Sequence, residues 1–163
     1  LVERDPRGVR RMIARLSDLL RYTLEGNNDA EVPLHREIDV LGEYVELMQI
    51  RFQGKLDVTM KVDDEVRDAL VPNLILQPIL ENAMKHGGGR IEIRGARLDG
   101  DLRVAITDSG HSGQHETAEP GTGVGLANTN ARLQQMYGEQ YGVTLRPLDG
   151  GGTEAELRIP YHT

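Results

Sequence analysis

The chain has no cysteine and no tryptophan, and a single phenylalanine among its 163 residues. Without cysteine there is neither a disulfide framework nor a thiolate metal site, a usage that suits a reducing compartment. No run approaches the roughly 20 apolar residues that a membrane-spanning helix needs. Positive charge is also scarce: 19 Lys and Arg stand against 26 Asp and Glu, a net charge of −7. A general nucleic-acid surface wants clustered cations, so that class of partner is not expected. The chain opens on Leu1 with no basic-then-apolar leader. It therefore reads as a piece of a longer protein, with any membrane region lying upstream.

What remains is ordinary for a globular protein, 38% hydrophobic and 28% charged, and long enough to bury a core. Val9, Met12, Ile13, Leu16, Leu19, Leu20 and Leu24 recur at helical steps and predict a first helix, stopped by Gly26-Asn27-Asn28-Asp29. Its six arginines and four acids over residues 1–26 read as a solvated face. A second helix is predicted from Pro33, placed as a first-turn proline, to Gly54. Leu34, Ile38, Leu41, Val45, Met48 and Phe52 give it a heptad-like stripe. Two such stripes in succession can pair with each other, with a second chain, or with their own domain.

Beyond Gly54 the pattern turns mixed α/β. Leu56 to Val62 alternates like a strand, and Leu74 to His86 reads as a helix opening with Pro72-Asn73. Arg90 to Arg97 and Leu102 to Thr107 form a predicted hairpin turned by Asp99-Gly100-Asp101. Val124 to Tyr137 is helical, and strands near Gly142 to Arg146 and Thr153 to Ile159 close the chain. The polar stretch from Ser109 to Thr122 cannot enter a core and is expected to be a linker or a lid.

Four short patterns carry chemistry. In Glu81-Asn82-Ala83-Met84-Lys85-His86-Gly87, Asn82, Lys85 and His86 share one helical face. A neutral amide oxygen suits Mg²⁺ whose other ligands are water and phosphate. The lysine is a point charge for the same phosphates, and the histidine can donate beside it; a polar helix terminus is the plainer alternative. Asp108-Ser109-Gly110 follows a strand, where a carboxylate can accept from the exocyclic amine of adenine and a glycine admits close approach; it is also a common turn. Gly121-Thr122-Gly123-Val124-Gly125-Leu126 runs into a helix, so backbone N–H groups can face an anion, with Asn128 one turn further. Its spacing is neither the dinucleotide fingerprint nor the Walker loop. Gly151-Gly152-Thr153 opens the last strand, as a tight hairpin or a ligand contact.

Taken in order, these patterns resemble the ATP-binding domain of histidine kinases, in the superfamily that also holds DNA gyrase and mismatch-repair ATPases. Asn82 matches the N box, Asp108 and Gly110 the first glycine box, Gly121 to Gly125 the second, and Gly151 to Thr153 the last. The resemblance is closer to the LytS-type branch, through Leu19-Leu20-Arg21-Tyr22, Tyr44, Arg51-Phe52, Leu76-Gln77-Pro78, Glu81-Asn82 and Gly125-Leu126-Ala127-Asn128. It implies an α+β fold: a two-layer sandwich of the Bergerat type, a mixed sheet faced by helices. Residues 1–54 would be a helical dimerisation segment and 55–163 the ATP-binding domain. ATP and Mg²⁺ would be held by Asn82, Lys85, His86, Asp108, Gly110, Gly121 to Leu126, Asn128 and Thr153, with Glu81, Asn82 and Lys85 catalytic. The implied partners are a second copy, through the N-terminal helices, and a response-regulator receiver domain. The implied location is the cytoplasmic side of a membrane-bound bacterial sensor.

The chain departs from that family in three places. The phosphoacceptor histidine of the LytS type sits in a Pro-His-Phe-like motif upstream of Leu-Leu-Arg-Tyr, and none is present. His35 reads as a surface residue, His111 and His115 as a lid pair without a third metal ligand, and His162 as part of a fraying end. The fragment is thus expected to bind ATP without phosphorylating itself. Ser112 stands where the family places a second glycine, with Gly113 one step later. Gyrase-like ATPases carry a water-activating glutamate one turn before the N-box asparagine, where this chain has Pro78. Glu81, about 100° round the helix from Asn82, is left to orient water on Mg²⁺, and transfer to a protein nucleophile fits better than fast hydrolysis. An anti-sigma-factor-type serine kinase and a non-catalytic nucleotide-binding dimer module are the alternatives; the former begins near the first strand, without the striped helices.

Overall fold

The computed structural model describes residues 7–13, 15–16, 30–85, 89–109 and 123–163, with the backbone alone at 123–125. Residues 7–13 and 15–16 are helical. Then follow β1 (Glu31–Pro33), α1 (Leu34–Arg51), β2 (Asp57–Val62), a 3-10 turn (Asp64–Val66), β3 (Leu70–Pro72) and α2 (Gln77–Lys85). The chain continues through β4 (Arg90–Leu98), β5 (Asp101–Asp108), α3 (Gly123–Tyr137), β6 (Gly142–Pro147) and β7 (Thr153–Pro160). Five strands make one mixed sheet in the order β2-β4-β5-β7-β6, and β1 pairs with β3 in a separate two-stranded ribbon. Among the described strands only β2 and β4 run parallel, and the connection between them carries α2, as a parallel pair requires.

The hairpin reading holds because Asp99 and Gly100 both take positive φ, 55° and 84°, the twist that matches a two-residue turn to its strands. On β5, Leu102, Val104, Ile106 and Asp108 are buried in strict alternation. Ala155, Leu157 and Ile159 repeat that pattern on β7. These side chains form one face of the core, and Ile79, Leu80, Ala83 and Met84 of α2 with Leu126 and Leu133 of α3 form the other. The expected two-layer sandwich is present.

Two sequence readings change in position or partner. Pro33 is the last residue of β1 and precedes the helix rather than sitting in its first turn. No side chain caps α1; the N–H groups of Leu34 and His35 donate instead to the carbonyls of Ala69 and Arg67 at 2.7 and 3.0 Å. The stripe of α1 faces its own domain: Leu34, Leu41, Tyr44, Val45, Leu47 and Met48 are all buried in the one core, with Ile38 and Phe52 packed against it. The first helix divides its stripe, because Met12 packs on the core while Ile13 and Leu16 are 58% and 48% exposed. Leu19, Leu20, Leu24 and the Gly26–Asp29 stop lie outside the described residues.

Candidate nucleotide site

Three of the four predicted boxes come from distant parts of the chain, and the fold brings two of them to one end of the sheet. Asp108 ends β5 on its inner face and is 4% exposed, so the apolar alternation finishes in a buried carboxylate. Thr153, the first residue of β7, lies directly across from it in register and shares its face by the period of two. Ser109 N–H donates to the Arg90 carbonyl at 3.0 Å, extending the β4–β5 pairing one step further. Gly151, at φ +96°, approaches the Ser109 carbonyl so that a Cβ there would stand 3.9 Å away. A carboxylate costs free energy in an apolar layer, and such placements concentrate where a ligand is to be met.

α2, which carries the asparagine box, packs against β5 and against α3. Asn82 is half-buried and Lys85 exposed, and among the described residues no hydrogen bond or ion pair engages either side chain. α3 starts at Gly123, so its first-turn N–H groups, which have no partner within the helix, come from the glycine run, as an anion site needs. Leu126 and Thr129 of α3 are buried and Asn128 is exposed. His86, Gly110, Gly121 and Thr122 lie outside the described residues, as do Ser112, Gly113 and the lid histidines His111 and His115; Gly123, Val124 and Gly125 are described in backbone only.

Glu81 is turned toward α1 rather than along the Asn82 face. Its carboxylate accepts from the Tyr44 hydroxyl at 3.2 Å and from Gln77 Nε2 at 3.3 Å. Burial, then the charge and hydrogen bond of Glu81, push the Tyr44 phenol above the usual tyrosine range, with Arg51 pulling the other way. Glu37, 2% exposed, was not singled out from the sequence. Its carboxylate accepts the N–H groups of Leu74 at 2.9 Å and Ile75 at 3.1 Å, in the turn that leads into α2. From the other side, Arg132 of α3 donates to the Asn73 carbonyl at 2.9 Å. The turn that aims α2 is therefore gripped by both neighbouring helices.

His162 is not part of a fraying end. Its Nε2 lies 2.7 Å from Glu31 Oε2, which the Tyr137 hydroxyl also meets, and its carbonyl accepts from Leu70 N–H at 2.8 Å. His35 is half-exposed beside Asp68, as a surface residue would be.

Residues 1–56 match the histidine kinase family, and residues 67–163 match the histidine kinase-, DNA gyrase B-, and HSP90-like ATPase family. The sensor histidine kinase YpdA of Escherichia coli is 33% identical over 96% of this chain and 29% of its own length. Sensor protein LytS of Oceanobacillus iheyensis is 27% identical over 99% of this chain and 30% of its own. The chain thus spans under a third of the length of these relatives. Among solved structures, the histidine kinase AdeS of Acinetobacter baumannii superposes with a TM-score of 0.61 at 15% identity, over 96% of this chain and 76% of that one. The catalytic domain of histidine kinase ThkA gives 0.57 at 21% identity, over 81% of this chain and 96% of that one; at such identities both bear on the fold alone. With residues 67–163 matched over more than half of the chain, behind a segment that matches the histidine kinase family, the chain belongs to the histidine kinase-, DNA gyrase B-, and HSP90-like ATPase family and contains the ATP-binding catalytic domain of a sensor histidine kinase.

Proposed function

We propose that this chain, within its parent protein, transfers the γ-phosphoryl group of ATP to a histidine carried on an upstream segment. The observation that carries the reading is the register of Asp108 against Thr153 on the sheet under α2, whose Asn82 and Lys85 make no hydrogen bond or ion pair among the described residues. Asp108 accepts from the adenine amine, with Thr153 across from it and Leu126 packed behind. The N–H groups at the start of α3 and Lys85 take the phosphates. Among the described residues no cluster of three His, Cys, Asp or Glu side chains could hold a metal by itself, so Mg²⁺ would draw most ligands from phosphate and water. The free amide of Asn82 fits the remaining place. Bound there, Mg²⁺ would offset the negative charge of the phosphates.

In the transfer, the bond from the γ-phosphorus to the β-phosphate oxygen breaks as a bond to the imidazole nitrogen forms, and ADP leaves. The ring proton released by the imidazole goes to Glu81, whose carboxylate Tyr44 and Gln77 hold in place. Ile13 and Leu16, exposed on the N-terminal helix, provide the apolar contact for a homodimer. A response-regulator receiver domain is the next acceptor. No helix among the described residues is long and apolar enough to cross a membrane, and a sensor anchored in one would place this domain on its cytoplasmic side. The match of residues 1–56 to the histidine kinase family favours this reading over an anti-sigma-factor-type serine kinase.

Calorimetric titration tests it. Asn82→Ala should abolish Mg²⁺-dependent binding of ATP while the circular dichroism spectrum and melting temperature stay within error. Undiminished binding by the variant would falsify the assignment of the site.

A further inference from the structure

A groove of about 530 Å³ runs between the end of α1 and α2, with Tyr44, Phe52 and Met84 among its walls. Arg51 and Lys85 also line it. Among the described residues neither cation has an ion-pair or hydrogen-bond partner, whereas Arg90, Arg103, Arg146 and Arg158 each lie within 4.0 Å of a carboxylate. Arg51 packs instead over the Phe52 ring at 5.6 Å. The carboxylate that lines the groove, Glu81, is already engaged by Tyr44 and Gln77. In a chain of net charge −7, two cations that share a groove with one carboxylate, itself turned to Tyr44 and Gln77 rather than to either of them, make a place for an anion from outside.

The helical order says which anion. At about 100° per residue, Lys85 stands about 40° from Glu81 and about 60° from Asn82, between the groove and the Asn82 face. Asp108 and Thr153 lie on the sheet that α2 packs against, and in the reading above they meet the adenine. A nucleotide whose base meets Asp108 and whose phosphates pass Asn82 would bring its terminal phosphoryl toward Lys85, which lines the groove. An arginine fork can take two of its oxygens.

We propose that Arg51 is a phosphoryl-contacting residue: with Lys85 it binds the γ-phosphate of ATP across the groove, so that α1 completes the nucleotide site. The inference rests on the ATP-binding reading above and deepens it. It makes Arg51 a selector between ATP and ADP, since only ATP carries the group it would touch.

The test compares a non-hydrolysable ATP analogue, AMP-PNP, with ADP, each with Mg²⁺, by calorimetry on the wild-type chain, Arg51→Ala and Arg51→Lys. Losing a charged hydrogen-bond partner should weaken AMP-PNP binding by about tenfold or more. ADP binding should stay unchanged, with Arg51→Lys in between. Arg51 is exposed, so the melting temperature should hold. An equal loss for both nucleotides, or no loss for either, overturns the role of Arg51 while leaving the nucleotide site standing. A wild-type chain that binds neither nucleotide overturns the ATP reading and this inference with it.

Discussion

Glu37 shows how much one side chain can carry when its partners are backbone. Its carboxylate serves two N–H groups at once, both in the turn before α2, and truncation would leave them unpaired in a dry place. Glu37→Ala should therefore cost about 2–4 kcal/mol, read as a lower urea midpoint, with Glu37→Gln between it and the wild type. Nothing in the sequence marks Glu37, because the groups it serves lie 37 and 38 positions further on. Asp108 was legible, since a carboxylate at the end of an alternating strand breaks a visible pattern. If Asp108 meets adenine as proposed, Asp108→Asn places a donor where the adenine amine also donates. It should weaken ATP and ADP alike by about tenfold or more, and measured affinities that stay equal to the wild type would argue against an adenine contact.

Among the elements, the long hairpin and the three main helices could be read because each carries its own periodicity and its own turn residues. The β1–β3 ribbon could not, since each strand has three residues and finds its partner only once α1 is docked. The stripe of α1 was visible, but its partner was not: a heptad-like pattern is the same whether a second chain or the home domain covers it. The α3–β6 connection offers a sharper test. Gly142 has φ +149°, and a Cβ there would stand 2.1 Å from Asn130 Oδ1, which accepts the Val143 N–H at 2.8 Å. Gly142→Ala should destabilise the fold by about 2 kcal/mol or more. A thermal melt unchanged from the wild type would show that the connection tolerates a side chain.

For the whole molecule, the expected boundary at residue 54 is not a boundary of the core. Leu34, Leu41, Val45, Leu47 and Met48 of α1 are at most 9% exposed, and at about 1.5–3 kcal/mol for each such side chain their loss rivals the usual stability of about 5–15 kcal/mol for a domain. A chain started at residue 55 should lack a cooperative melt by circular dichroism. Alkali probes the same unity. The phenols of Tyr44 and Tyr137 are held above the usual range by burial first and then by Glu81 and Glu31. The fold favours their neutral form, so this contribution is whole below about pH 10, where an unfolded tyrosine ionises, and is lost as pH rises beyond it. Their tyrosinate absorbance should appear only together with loss of the helical signal; ionisation near pH 10 in a folded chain would contradict the burial argument.

The strand order leaves β2 and β6 at the two margins of the sheet. β2 shows solvent Asp57, Thr59 and Lys61, and β6 is bracketed by Gly142 and Pro147 with Arg146 outward. Charge and proline at a margin discourage another copy from adding its strand there. Concentrated solutions of the domain should therefore resist cross-β growth, and that leaves the helices free to take up whatever the rest of the parent protein transmits.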